Sequence, residues 1–248
     1  MQRRDAADSG PAGATDWSMF GRLHGEGEGA TAALDSLVRR YWTPVFAFVR
    51  RLGYDVEEAS DLTQGFVADV ILARRLLHRA DPARGRFRSL LVVSLRNYVR
   101  AQERTRRRRA PLRQRGRSAT DPQLDVDPPD ASAATPEAAF EQAWSRTLML
   151  AVLRRVEAEC RRDGLTRHWA LFEARIVNPI MRGTDPIDYG TLAESTGLPD
   201  AAHAANLVVT VKRRFARALR EEIASTVFDA TEIEAELVEI VAMMERRG

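Results

Sequence analysis

The sequence is almost without lysine: of its 38 basic residues only Lys212 is one, and the rest are arginine. Basic surfaces in this chain are therefore built from planar guanidinium groups, which bond bidentately and stack on bases, rather than from ammonium point charges. Cysteine is nearly missing too. The single Cys160 excludes an intramolecular disulfide framework and a multi-cysteine zinc or iron–sulfur site. The four histidines, His24, His78, His168 and His203, have no metal-ligand spacing, so neither a metal nor a cofactor is expected. No apolar run approaches the ~20 residues of a membrane span, and Arg3 and Arg4 are not followed by the apolar segment of a secretory signal. A reducing, cytoplasmic location without membrane contact is expected. There is no phosphate-binding glycine loop, nucleophile elbow or metal cluster, which makes an enzyme the poorest reading.

With 248 residues, 44% of them hydrophobic, the chain can bury a core without crosslinks, as one large domain or two small ones. The net charge of +3 hides unequal parts. Residues 96–117 hold 10 arginines against Glu103 alone, whereas residues 118–145 hold six acids and no base. A local surplus of this size suits a polyanion such as nucleic acid, with a solvated basic tail as the alternative.

Hydrophobic spacing predicts an all-α fold of two helical domains joined by a flexible linker rich in proline and aspartate. Residues 1–16 read as a disordered lead-in. From Leu34 the apolar positions Leu37, Val38, Tyr41, Trp42, Val45, Phe46 and Val49 follow one helical face, with Pro44 a point of division or kinking and Gly53 a stop. Asp55 with Glu58 has the form of a capping box for a second helix, whose inner face is expected at Ala59, Leu62, Phe66, Val70 and Leu77. Asp81-Pro82 and Arg84-Gly85 mark a turn. The third helix, expected over 86–108, puts Phe87, Leu90, Leu91, Leu95, Tyr98 and Val99 on one face. Arg88, Arg96, Arg100, Arg104 and Arg107 are expected on a wet stripe, with the far end projecting beyond a small core. Tyr98 reads as a core aromatic, with a base-stacking platform as the alternative.

Residues 111–136, with five prolines and almost no large apolar side chains, are the linker. The second domain, 137–228, opens at Pro136-Glu137 with Phe140, Trp144, Leu148, Ala151 and Val152 facing inward until Gly164. A further helix, carrying Trp169, Leu171, Phe172 and Ile176, is expected to stop near Asn178-Pro179. Then a short helix from Tyr189, a turn at Gly197 and a long helix to about Ile223 form a helix-turn-helix arrangement, with Asp200 as cap of the second helix. A plain helical hairpin is the alternative. Residues 229–248 form an amphipathic helix through Ile233, Leu237, Ile240, Val241 and Met244, docked on the core or offered to a partner.

Two basic surfaces follow from this layout. Arg96, Asn97, Arg100, Arg104, Arg107 and Arg108 recur along the third helix, where several phosphates can be met along one edge. In the helix-turn-helix, His203, Asn206 and Thr210 are candidate base readers, while Lys212, Arg213, Arg214 and Arg217 are better placed for phosphates.

The segments Asp61-Leu62-Thr63-Gln64-Gly65-Phe66, Phe87-Arg88-Ser89-Leu90-Leu91 and Arg96-Asn97-Tyr98-Val99 resemble region 2 of bacterial RNA polymerase sigma factors of the extracytoplasmic-function branch. The stretch from Tyr189 to Leu219 is similar to their region 4. The resemblance implies a transcription initiation factor, not an enzyme. It implies that Asp61, Leu62, Gln64, Phe66 and Asp69 meet core RNA polymerase and that the arginine-bearing helix engages promoter DNA as it melts. The helix-turn-helix would read the upstream duplex, and an anti-sigma or other regulatory protein is a further partner. Three departures stand out: Gly65 replaces a usual acid, Ala101 replaces an acid common after Arg-Asn, and residues 201–209 are poor in hydrogen-bond donors.

A stand-alone helix-turn-helix regulator and an arginine-rich RNA-binding protein are the competing readings. The acidic linker is also expected to screen the basic stripe, so that deleting residues 119–135 raises nonspecific DNA affinity.

Overall fold

The computed structural model describes residues 28–73, 87–109, 135–224, 233–235 and 237–238. Among the described residues all regular structure is helical. The eight α-helices are α1 Glu28–Arg51, α2 Val56–Phe66, α3 Phe87–Arg109, α4 Pro136–Arg162, α5 Thr166–Phe172, α6 Asn178–Arg182, α7 Tyr189–Thr196 and α8 Ala201–Ala224. None is long and apolar enough to cross a membrane. The lead-in, the turn expected at 81–85, Leu77, the linker up to residue 134 and most of the tail lie outside the described residues.

The first helix buries Leu37, Tyr41, Val45, Phe48 and Val49 and runs through Pro44 without a break. The proline forfeits one intrahelical bond, and apolar burial on both sides of it holds the helix continuous. The chain then turns at Gly53, whose φ of 98° suits glycine.

Asp55 caps α2 as expected, its carboxylate accepting from the Glu58 N–H at 2.8 Å. The buried face is Ala59, Thr63, Phe66, Val67 and Ile71, while Leu62 and Val70 are only half-buried. This corrects the expected face. Beyond Phe66 the helix widens into a π-helical stretch, Val67–Leu72, which shifts the angular position of the residues along it and turns Ile71 inward in place of Val70.

In α3, Phe87, Leu91, Leu95 and Val99 are buried at steps of four. The helix has 23 residues, about 35 Å at 1.5 Å per residue. It is tied to the start of α2 as far as Arg106, which pairs with Glu58 at 2.7 Å, and the Tyr54 hydroxyl donates to Glu103 at 2.8 Å. The projecting part is therefore shorter than the periodicity alone suggests.

Thr135 caps α4, and Pro136 occupies its first turn, where a missing N–H costs nothing. Its buried stripe steps by four through Phe140, Trp144, Leu148, Val152, Val156 and Cys160. Ala151, expected inside, is exposed because it lies one residue, 100° of helix, behind Val152. The helix ends before Gly164, at φ 73°.

The helix begun by α5 does not stop at Asn178-Pro179. A π-helical stretch, Glu173–Val177, links α5 to α6, with the Asn178 N–H bonded to the Glu173 carbonyl. Pro179 lies within this run and forfeits one helical hydrogen bond, and the chain leaves at Gly183.

The α4 helix packs along α1, and α8 packs on α4, α5 and α7. The buried side chains form one connected cluster with members from both sides of residues 110–134. At its centre the Tyr41 ring meets Phe87 edge-on at 5.6 Å and stacks on Phe140 at 6.4 Å. From the tail, Ile233 and Leu237 pack against this cluster.

Candidate nucleic-acid interface

Three charged or polar side chains of α3, Asn97, Arg100 and Arg104, are exposed and recur about one turn apart. Arg100 and Arg104 form no ion pair among the described residues. Arg96 lies at the edge of this row, half-exposed, and donates through Nη2 to Glu137 Oε1 at the start of α4. Its hydrogen bond holds the Glu137 carboxyl below the usual range. The side chains of Arg107 and Arg108 lie outside the described residues.

Arg88 does not belong to the stripe. Only 5% exposed, it lies with its guanidinium 4.3 Å from the Trp144 ring centroid and Nε 3.1 Å from Glu141. Eight residues before Arg96, it is rotated by about 80° toward the buried side of α3, and the cation is accommodated by an aromatic face and a carboxylate. No local signal in the sequence joins Arg88 to a helix beginning at residue 136.

Asp61 and Gln64 on α2, and Asp69 in the π-helical stretch that follows it, are exposed, as an outward surface requires. Phe66 is not part of that surface. It is completely buried, edge-on to Tyr98 at 5.6 Å, and Leu62 is half-buried. Apolar spacing places Phe66 with the core, and its burial agrees.

Tyr98 is a packing residue with a polar tip, its hydroxyl 3.4 Å from the Asp69 carboxylate. Burial, then the Asp69 charge, pushes its phenol above the ordinary value. Gly65 is what admits it: a Cβ at position 65 would lie 2.3 Å from the Tyr98 Oη and 3.5 Å from its Cζ. The mid-helix glycine is thus explained by close approach. Gly65→Ala is expected to destabilise the protein by about 1–3 kcal/mol through overpacking. In a Tyr98→Phe background the same change is expected to stabilise by about 0.5–1 kcal/mol, the helix-propensity gain. Urea unfolding of the four chains checks this, and the same sign in both backgrounds refutes the contact.

The pair α7 and α8 is closed by three local devices. Asp188 caps α7 through the Thr191 N–H at 3.0 Å; Gly197 turns the chain at φ 62°; and Asp200 accepts from the His203 N–H at 2.7 Å. Ala193, 3% exposed, supplies the small side chain at the crossing, and its carbonyl receives the Leu198 N–H at 2.8 Å. Asp200→Ala is expected to cost about 1 kcal/mol in chemical denaturation by orphaning the capped N–H.

Of the side chains expected to face DNA on α8, His203, Asn206, Lys212, Arg213 and Arg217 are exposed. Thr210 is half-buried, and its hydroxyl donates to the Asn206 carbonyl at 3.0 Å. Arg214 donates to Asp163 at 2.6 Å, and Arg217 lies 3.6 Å from Glu159 and 3.8 Å from Glu221. These two arginines help form the α4–α8 seam, where Arg155 also joins Glu159 and Glu221. The Arg214 hydrogen bond holds the Asp163 carboxyl down. Beside them, burial and then the Arg214 and His203 charges push the His168 imidazole below its ordinary value.

Cys160 is buried in the core, where desolvation raises its thiol. No group of histidine, cysteine and carboxylate side chains arranged to hold a metal occurs among the described residues. In comparisons with known proteins, the chain matches no family model, no curated protein and no solved structure.

Proposed function

We propose that the protein is a transcription initiation factor that binds core RNA polymerase and directs promoter recognition and melting. The reading rests on the resemblance of its motifs to sigma factors of the extracytoplasmic-function branch, in which it has two functional domains. The observation that carries it is the exposed row Asn97, Arg100 and Arg104 on α3, whose two arginines form no ion pair among the described residues. Guanidinium groups one turn apart suit the phosphates of a strand being opened, and they stack on unpaired bases as ammonium groups do not. Asp61, Gln64 and Asp69 are then the polymerase contacts. The pair α7 and α8 acts as the helix-turn-helix, reading duplex DNA through His203, Asn206 and Arg213, with Lys212 on its flank.

The test is to purify the protein with core polymerase and sequence the transcripts started in vitro. A stoichiometric complex and promoter-dependent starts are expected, and no complex at low salt overturns the reading. A stand-alone regulator has one observation in its favour, the capped α8 with His203, Asn206 and Arg213 exposed. That reading predicts binding to a duplex operator without polymerase.

A further inference from the structure

We propose that Glu137 is an internal competitor for nucleic acid at Arg96, so that the free chain masks one cation of the α3 row. The inference rests on reading that row as a nucleic-acid edge, and it adds an acid that regulates access to it.

The two side chains are joined by a hydrogen bond and remain open to solvent, Arg96 at 43% and Glu137 at 38% exposure. A carboxylate and a phosphodiester offer guanidinium the same two-oxygen face, so they compete for Arg96 rather than share it. Being exposed, the pair is weak and screened by salt, and a polyanion held by neighbouring cations can displace it. Those neighbours are Arg100 and Arg104, which continue the row with no ion pair among the described residues.

Glu137 does not depend on Arg96 for its position. Thr135 caps the helix through the Ala138 N–H at 3.1 Å, and Pro136 fixes the first turn. One turn further on, Glu141 and fully buried Trp144 grip Arg88. Arg88–Glu141 is the inner pair and Arg96–Glu137 the outer one, on the same two helices. The inner pair anchors the start of α4 while the outer pair exchanges.

The test measures affinity of the full chain for a fluorescein-labelled single-stranded DNA of mixed sequence, by anisotropy at low salt. Glu137→Gln is expected to bind about three- to fivefold tighter, the scale of one released rim pair. Glu137→Asp, which retracts the carboxylate, is expected to fall between the two and keeps the test available if the glutamine variant misfolds. In an Arg96→Ala background Glu137→Gln is expected to change nothing. No gain from either variant, or an equal gain without Arg96, overturns the masking proposal. If Arg100→Ala/Arg104→Ala leaves affinity intact, the row is not a nucleic-acid edge and both readings fall. Loss of affinity in that double variant, with no gain from Glu137→Gln, overturns the masking alone.

Discussion

Trp144→Ala is expected to lower the unfolding free energy by about 3–5 kcal/mol, a large share of the roughly 5–15 kcal/mol that a folded domain commands. Trp144 is fully buried on α4, and its ring covers the guanidinium of Arg88 from α3. Truncation therefore opens a cavity and also strips a buried cation of its aromatic cover. Urea or thermal unfolding followed by circular dichroism measures the loss. A double variant, Trp144→Ala with Arg88→Met, is expected to recover part of it, because the uncovered charge is removed. A loss below about 1 kcal/mol for Trp144→Ala means that this helix contact is not part of the folded core.

The second large effect concerns binding. Arg100→Ala/Arg104→Ala is expected to reduce single-stranded DNA affinity at low salt by about tenfold or more, and to make the slope of log affinity against log salt shallower by about 1.4. That follows from two phosphate contacts at about 0.7 each on a single strand. The comparison that gives this meaning is Arg217→Ala. Arg217 carries the same charge but lies against Glu159 and Glu221, so its removal is expected to leave the slope nearly unchanged. An Arg217→Ala effect half that of the double variant would falsify the assignment, because it would indicate that total charge alone governs binding.

These predictions separate arginines that the sequence presents as equals. Among the arginines read as DNA contacts, Arg100, Arg104 and Arg213 are exposed without an ion pair among the described residues. Arg96, Arg214 and Arg217 are each held against an acid. Arg88, read as part of the wet stripe, is internal. The partners lie far off in sequence: Glu137 is 41 positions from Arg96, and Arg40 on α1 pairs with Glu222 on α8 across 182. With 37 arginines and more than thirty acids available, composition cannot select among such pairings.

The glycine at position 65 makes the same point by another route. In the sequence it is an interruption of a helix and a departure from the sigma-factor pattern. Its reason is the hydroxyl of Tyr98 on the next helix, which occupies the space a Cβ needs. For the phenylalanine beside it, the resemblance implies an outward position and apolar spacing an inward one, and burial agrees with the spacing.

By itself the sequence determined the helical class, the caps at Asp55 and Asp200, the turns at Gly53, Gly164 and Gly197, and most of the buried stripes. Each of these depends on residues within one or two turns of each other, where spacing and side-chain chemistry suffice. Only the tertiary structure decided that α4 packs along α1, which arginines tie helices together, and where the π-helical stretches re-aim a face. Those outcomes depend on which surfaces meet, and the free energy of a contact between distant residues is set by burial and partner geometry that no local pattern carries.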